Sequence, residues 1–143
     1  VAVVHSRTIP QGIAALMALR PEREVEANAE TMERALKLVG TGEITRATRT
    51  VEIDGVDVKE GEIIALVDGR LCGSGPDEKA VLDELLDRLE VADAGIVSLY
   101  YGADVSLDRA TGTADHIQAL YPDVEVELIE GDQAHYYYIL GVE

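Results

Sequence analysis

The 143-residue sequence predicts a mixed α/β (α+β) fold, with helices packed on two small lobes of mixed β-sheet that share a core, about 1–92 and about 93–143. Three observations predict it. Val25, Ala29, Met32, Leu36 and Val39 recur at helical spacing within Glu22–Val39, the cleanest amphipathic stripe in the chain. Asp54-Gly55 and Asp68-Gly69 each separate short apolar or β-branched runs, the strongest two-residue hairpin signal. From Ala94 onward the pattern reads strand, helix, strand, strand.

Taken in order, Val1–Val4 is a short apolar run that reads as a buried strand, and Thr8 starts a helix after it. Thr8 is a good N-cap, Pro10 sits in the first turn where a missing N–H costs nothing, and Gln11 completes a T-x-x-Q capping box. His5, Ser6, Arg7 and Thr8 therefore form a tight strand-to-helix turn whose free N–H groups face the loop. Such a turn is either plain architecture or, in an α/β sheet, a place where ligands and partners are met. The first helix spans Ile9–Leu19 with Ile9, Ile13, Leu16 and Met17 on one face; Arg20-Pro21 ends it, and Gly40 stops the second helix. An antiparallel meander follows: Ile44–Ile53, Val56–Val58, Glu62–Val67 and Arg70–Gly73, with Lys59-Glu60-Gly61 as a turn. Arg46 and Arg49 break the alternation of the first of these strands, facing solvent, pairing with carboxylates or marking a binding face.

Gly73-Ser74-Gly75-Pro76 reads as a connector, because it lacks the lysine and spacing of a phosphate loop. A helix over Asp77–Leu89 buries Leu82, Leu85, Leu86 and Leu89. The second lobe has a strand at Ala94–Tyr101 and a turn at Gly102-Ala103-Asp104. Its helix, capped by Ser106 or Asp104, runs to Tyr121 with Leu107, Ala110, Ala114, Ile117 and Tyr121 inward. Val124–Ile129 alternates as a half-exposed strand, Glu130–His135 turns, and Tyr136–Val142 closes the chain.

Composition excludes several classes. The 28 acidic and 12 basic residues give a formal charge of −16 with no basic stripe, which argues against nucleic acid and anionic membrane surfaces and allows a partner with a basic face, although a solvated acidic surface is the commoner cause of such a charge. There is no signal peptide and no run long enough to insert in a membrane, so a cytoplasmic location is expected; the start within a strand, without Met, suggests a piece of a longer protein. Cys72 is the single cysteine and reads as a small buried residue. His5, His116 and His135 are scattered, so no metal ligand set is expected. With no G-x-S-x-G, Walker A or G-x-G-x-x-G motif, no catalytic and no cofactor-binding residue is assigned.

Two loops remain as candidate partner-binding sites. One carries Ser6, Arg7, Thr8 and Gln11 at the first helix start. The other carries Gln133, His135, Tyr136 and Tyr138 in a polar turn flowing into three tyrosines, a residue type enriched at interfaces. Arg7 is the expected anchor for an acidic group, as a guanidinium beside a helix N-terminus.

TIPQGIAAL (Thr8–Leu16), TGEITRATRTVEIDGVDVKEGEIIALVDG (Thr41–Gly69), LYYGADVS (Leu99–Ser106) and YPDVEVELIEGDQAHYYYILGVE (Tyr121–Glu143) together resemble the C-terminal domain of the DAK-phosphatase-like, YloV-type family, related to dihydroxyacetone kinase family proteins and understood as the A subunit of bacterial fatty acid kinase. The resemblance runs through essentially the whole chain in order. It implies that an N-terminal domain outside this chain holds ATP and magnesium, and that a C-terminal domain like this one helps dock a DegV-type, acyl-binding B subunit whose fatty acid carboxylate is phosphorylated. It also implies a topology loosely similar to the C-terminal half of DegV-type folds. One departure stands out: where relatives tend to read G-G-Q-P-x-Y-P-Y, Ala134 and Tyr137 replace both prolines, while Gln133, Tyr136 and Tyr138 match. The rival readings are a stand-alone small-molecule-binding or phosphatase-like hydrolase domain, for which His5 and Asp104 are the ionisable candidates at strand ends, and a homodimer module using the Glu22–Val39 helix.

Overall fold

The computed structural model describes residues 1–143. Four helices, α1 (Ile9–Ala18), α2 (Val25–Leu36), α3 (Glu78–Arg88) and α4 (Leu107–Leu120), pack with eight strands: β1 (Gly40–Arg46), β2 (Val51–Ile53), β3 (Val56–Val58), β4 (Ile63–Val67), β5 (Arg70–Gly75), β6 (Ile96–Tyr101), β7 (Glu125–Glu130) and β8 (Tyr136–Val142). Six strands form one mixed sheet in the order β5-β4-β1-β8-β6-β7, and β2-β3 stand apart as a two-stranded ribbon. Every pair in the large sheet is antiparallel except β6–β7. The two halves of the chain meet where β1 pairs with β8.

Alternation along β8 sorts the layers. Leu140 and Tyr138 point to the face covered by α3 and α4, where they join Ile44, Ala65, Leu85, Leu86, Val97, Leu99 and Ile117 in one aliphatic core. Gly141 points to the other face, where Pro10 of α1 lies against it; a Cβ at Gly141 would come 2.9 Å from the Pro10 Cβ. The α1–α2 pair thus sits on the second face. Its connection is clasped by buried Asn28, which accepts from the Arg20 N–H (2.9 Å) and donates to the Arg20 and Arg23 carbonyls (2.7 and 3.1 Å).

Several sequence expectations are corrected. Val1–Val4 is not a strand and is largely exposed, because no ladder reaches it. The first meander strand is broken at 47–50, where Ala47 leaves the sheet to bond the Glu62 carbonyl and receive the Gly61 N–H (both 2.8 Å). The meander is consequently split: β1 lies between β4 and β8, while β2 and β3 pair only with each other. Ladder pairing with β4 carries β5 through Gly73 and Ser74 to Gly75, so the presumed connector is mostly strand. On α1 the buried positions are Pro10 and Ala15, while Leu16 and Met17 face outward, because Pro10 on Gly141 sets the helix roll. Leu107 is likewise exposed at the start of α4.

Two glycines test the packing in opposite directions. Gly102, buried after β6, leaves no room for a side chain: an added Cβ would meet the Tyr136 carbonyl oxygen and lie 2.8 Å from that of Gln133. Gly112, inside α4, has nothing within 4 Å of such an atom. Gly102→Ala is expected to cost more than about 2 kcal/mol, and Gly112→Ala to add up to about 1 kcal/mol, both read by urea unfolding. Glu43, half-buried on β1, has its carboxyl pushed above the ordinary value by burial and by the charge of Asp68. The folded state therefore holds that proton more tightly than the unfolded chain, and this group's contribution to stability falls as pH rises through the carboxylate range. Glu43→Gln should raise the melting temperature more at about pH 7 than at about pH 4, where the unfolded carboxylate is itself largely protonated.

Candidate functional site

The opening loop is shaped by its cap. The Thr8 hydroxyl accepts from the Gln11 N–H (3.3 Å), and the Gln11 carboxamide oxygen accepts from the Arg7 N–H (3.0 Å), one residue earlier than in the usual reciprocal box. The same Thr8 hydroxyl lies 2.8 Å from that of buried Thr41 on β1, pinning the helix start to the sheet. Ser6 and Arg7 are exposed. Arg7 and Gln11 share a recess of about 420 Å³ with His5 and, from α2, Glu33, Leu36 and Lys37.

The closing loop lies at the carboxyl ends of the parallel pair β6–β7, where α/β sheets place their ligand crevices. Gln133 fixes it, donating from Nε2 to the Tyr100 carbonyl and accepting from the Ala103 N–H at its own carbonyl (both 3.0 Å). Asp132 and His135 adopt left-handed backbone, φ 51° and 70°, and the Thr45 hydroxyl donates to the His135 carbonyl. The β1–β8 register then slips: Ile44 faces Tyr138 but Thr45 faces Tyr136, leaving Tyr137 in a bulge. As a result both Tyr137 and Tyr138 meet Arg109 of α4, whose Cζ stands 4.9 and 6.0 Å from their ring centroids. Arg46 lies over the Tyr137 ring too, at 6.0 Å.

The sequence-selected residues thus fall into different settings. Tyr138 has no exposed surface; its hydroxyl lies 2.9 Å from that of Thr113, which itself donates to the Arg109 carbonyl, and burial raises its pKa. It supports the loop from below and does not reach a partner directly. Tyr136 and Gln133 are half-buried and His135 is exposed. The two loops approach each other through Ile9 and Gln133, which line a recess of about 240 Å³ with Tyr100, Ile129 and Ile139. Next to it, a groove of about 270 Å³ runs between α1 and the open sheet face, past Ile13, Met17, Ile96, Tyr100 and Ile129.

His135 opens elsewhere, into a cleft of about 460 Å³ with Thr45, Arg46, Thr48, Glu60, Asp104 and Tyr137. His5 and Asp104, the two strand-end candidates, lie in separate recesses. Tyr137, marked in the sequence only as a replacement for a proline, and the partners of Arg46 were not among the selected residues; the break in alternation at Arg46 was the signal for the latter. No helix is long and apolar enough to cross a membrane.

The family model for the C-terminal region of proteins like the fatty acid kinase A-subunit matches residues 1–143. The chain belongs to this family. Its relatives include protein YloV from Bacillus subtilis, 34% identical over 141 residues, and an uncharacterized protein from Staphylococcus haemolyticus, 36% identical over 141 residues. Each alignment covers 99% of this chain and 26% of the relative, so the chain spans about a quarter of the length of the curated relatives it matches. Among solved structures, a DegV family protein from Thermus thermophilus, described for its fatty acid binding, shares the fold with TM-score 0.57 at 14% identity, over 93% of this chain and 55% of that one. The mixed α/β class expected from the sequence is observed and the solved neighbour is a DegV family protein; the β1–β8 pairing joins the two expected lobes in one six-stranded sheet.

In this family member the Tyr138–Thr113 contact is a measurable prop for the closing loop. Tyr138→Phe is expected to lower stability by about 1 kcal/mol. Thr113→Ala should add little to it in a double-mutant cycle followed by denaturant unfolding, because the two changes remove one shared bond.

Proposed function

We propose that this domain is a non-catalytic docking module of a fatty acid kinase A-subunit. It holds the acyl-binding, DegV-type B subunit so that an ATP- and magnesium-holding domain outside these residues phosphorylates the fatty acid carboxylate, in the cytoplasm. The observation that carries this reading is the apolar surface left open on α1: Ile9, Leu16 and Met17 are 55, 66 and 74% exposed beside the Arg7–Gln11 loop. An uncovered apolar row on an otherwise charged chain suits a partner surface. The glutamates of α2, with Glu33 in the Arg7 recess, add an acidic rim that complements a basic face. Family membership supplies the context, and the other three quarters of its relatives' length leaves room for the kinase machinery.

One observation favours a second reading, a stand-alone small-molecule-binding or phosphatase-like hydrolase domain. Arg46, Glu60, Asp104 and His135 converge in one cleft near strand ends, the feature such a domain needs. A homodimer is disfavoured by self-repulsion at a charge of −16.

Calorimetry of the domain with an acyl-loaded DegV-type B subunit, with ATP hydrolysis and phosphatase activity assayed alongside, separates the readings. Docking predicts binding at micromolar Kd or tighter without turnover, and a loss of about tenfold or more in the Arg7→Ala, Tyr136→Ala double variant. No binding together with turnover of a phosphorylated substrate would put the hydrolase reading first. Unchanged affinity in the double variant would move the docking face elsewhere.

A further inference from the structure

Arg46 is exposed at the end of β1, and its guanidinium, like most of the 12 basic side chains, makes no ion pair and no hydrogen bond within the protein. What sets it apart is its place over the Tyr137 ring, with its Cζ 6.0 Å from the centroid. A guanidinium attracted to a ring in this way keeps its N–H donors unspent. Arg109, on the same ring, differs in having its charge met by Glu78. The β-bulge is what sets Tyr137 in this position, so the arrangement is built into the β1–β8 register.

Arg46 lines the 460 Å³ cleft together with His135 and Thr48. We propose that this cleft binds the phosphate or carboxylate group of a small polar molecule, with Arg46 as the principal contact and His135 and Thr48 beside it. Asp104 and Glu60 line the same cleft. They accept hydrogen bonds from hydroxyl or ammonium groups elsewhere on the ligand and repel polyanions, which selects a single anionic group on a hydroxylated or amine-bearing body. The size is that of a small-molecule site. The inference rests on the small-molecule reading of this cleft and shares His135 with the closing loop, whereas Arg7 of the docking reading lines a different recess.

The test is amide NMR of the 143-residue chain titrated with sodium phosphate and, separately, sodium acetate at constant ionic strength, with sodium chloride as reference. The expected result is saturable shifts confined to Thr45–Thr48, Asp104 and His135. The dissociation constant should rise at least tenfold in Arg46→Gln and several-fold in Tyr137→Leu, and stay unchanged in Arg70→Gln, an exposed arginine on β5 outside the cleft. Saturation by phosphate alone assigns a phosphoryl ligand; saturation by acetate as well extends the class to carboxylates. Arg46 has no internal bond to lose, so Arg46→Gln keeps the native spectrum elsewhere. Shifts that never saturate, that chloride reproduces, or that survive Arg46→Gln with the same affinity would overturn the site.

Discussion

The pairing of β1 with β8 is the constraint on which the rest depends. It joins residues about a hundred positions apart, places Ile44 beside Tyr138 and Gly42 beside Leu140, and sets the centre of the six-stranded sheet. Closing so long a loop costs conformational entropy that only burial repays. The repayment is visible in the fully buried Ile44, Tyr138 and Leu140, with Leu85 and Leu86 of α3 packed in the same core. The ladder also carries the one irregularity with chemical consequences. Without the slip at Ile44/Thr45, strict alternation would send Tyr137 and Tyr138 to opposite faces, and Arg109 would meet one ring where it now meets two.

A core without Phe or Trp has to be made from aliphatic side chains and from economy with polar groups. No buried side-chain nitrogen or oxygen lacks a partner. Asn28 and Thr41, the two buried polar side chains, are both spent on joining elements: one clasps the α1–α2 connection, the other pins α1 to β1. Apart from half-buried Glu43 on β1, most of the acidic excess lies on surfaces and edges. On β7, an edge strand, Glu125 and Glu130 are exposed and Glu127 lies on the open face beside Ser98. This is how an unpaired strand edge is kept from recruiting another.

Much of the architecture was legible because it is written locally. The Thr8 and Ser106 caps and the Asp-Gly turns at 54–55 and 68–69 hold as read, as does the closing strand Tyr136–Val142; each depends on neighbours within a few residues. What failed was long-range. Val1–Val4 has the composition of a strand but no ladder to join, and the roll of α1 is decided by Gly141, more than a hundred residues away. The candidate sites divide the same way. The Thr8–Gln11 cap was readable, while the burial of Tyr138 and the approach of Arg46 to the Tyr137 ring depend on a register that no local pattern encodes.

The second face of the sheet has a consequence for how the molecule comes apart. The α3–α4 layer is held by interdigitated leucines and isoleucines, whereas α1 and α2 are attached mainly by the Thr8–Thr41 hydroxyl contact and by Pro10 resting on Gly141. An element fastened by a few polar pins, with its larger apolar side chains facing outward, opens at lower free energy than a packed core. The α1–α2 hairpin is thus a separate opening unit. Its amides exchange with solvent through partial unfolding, while those of β1, β6 and β8 wait for the whole sheet to dissolve.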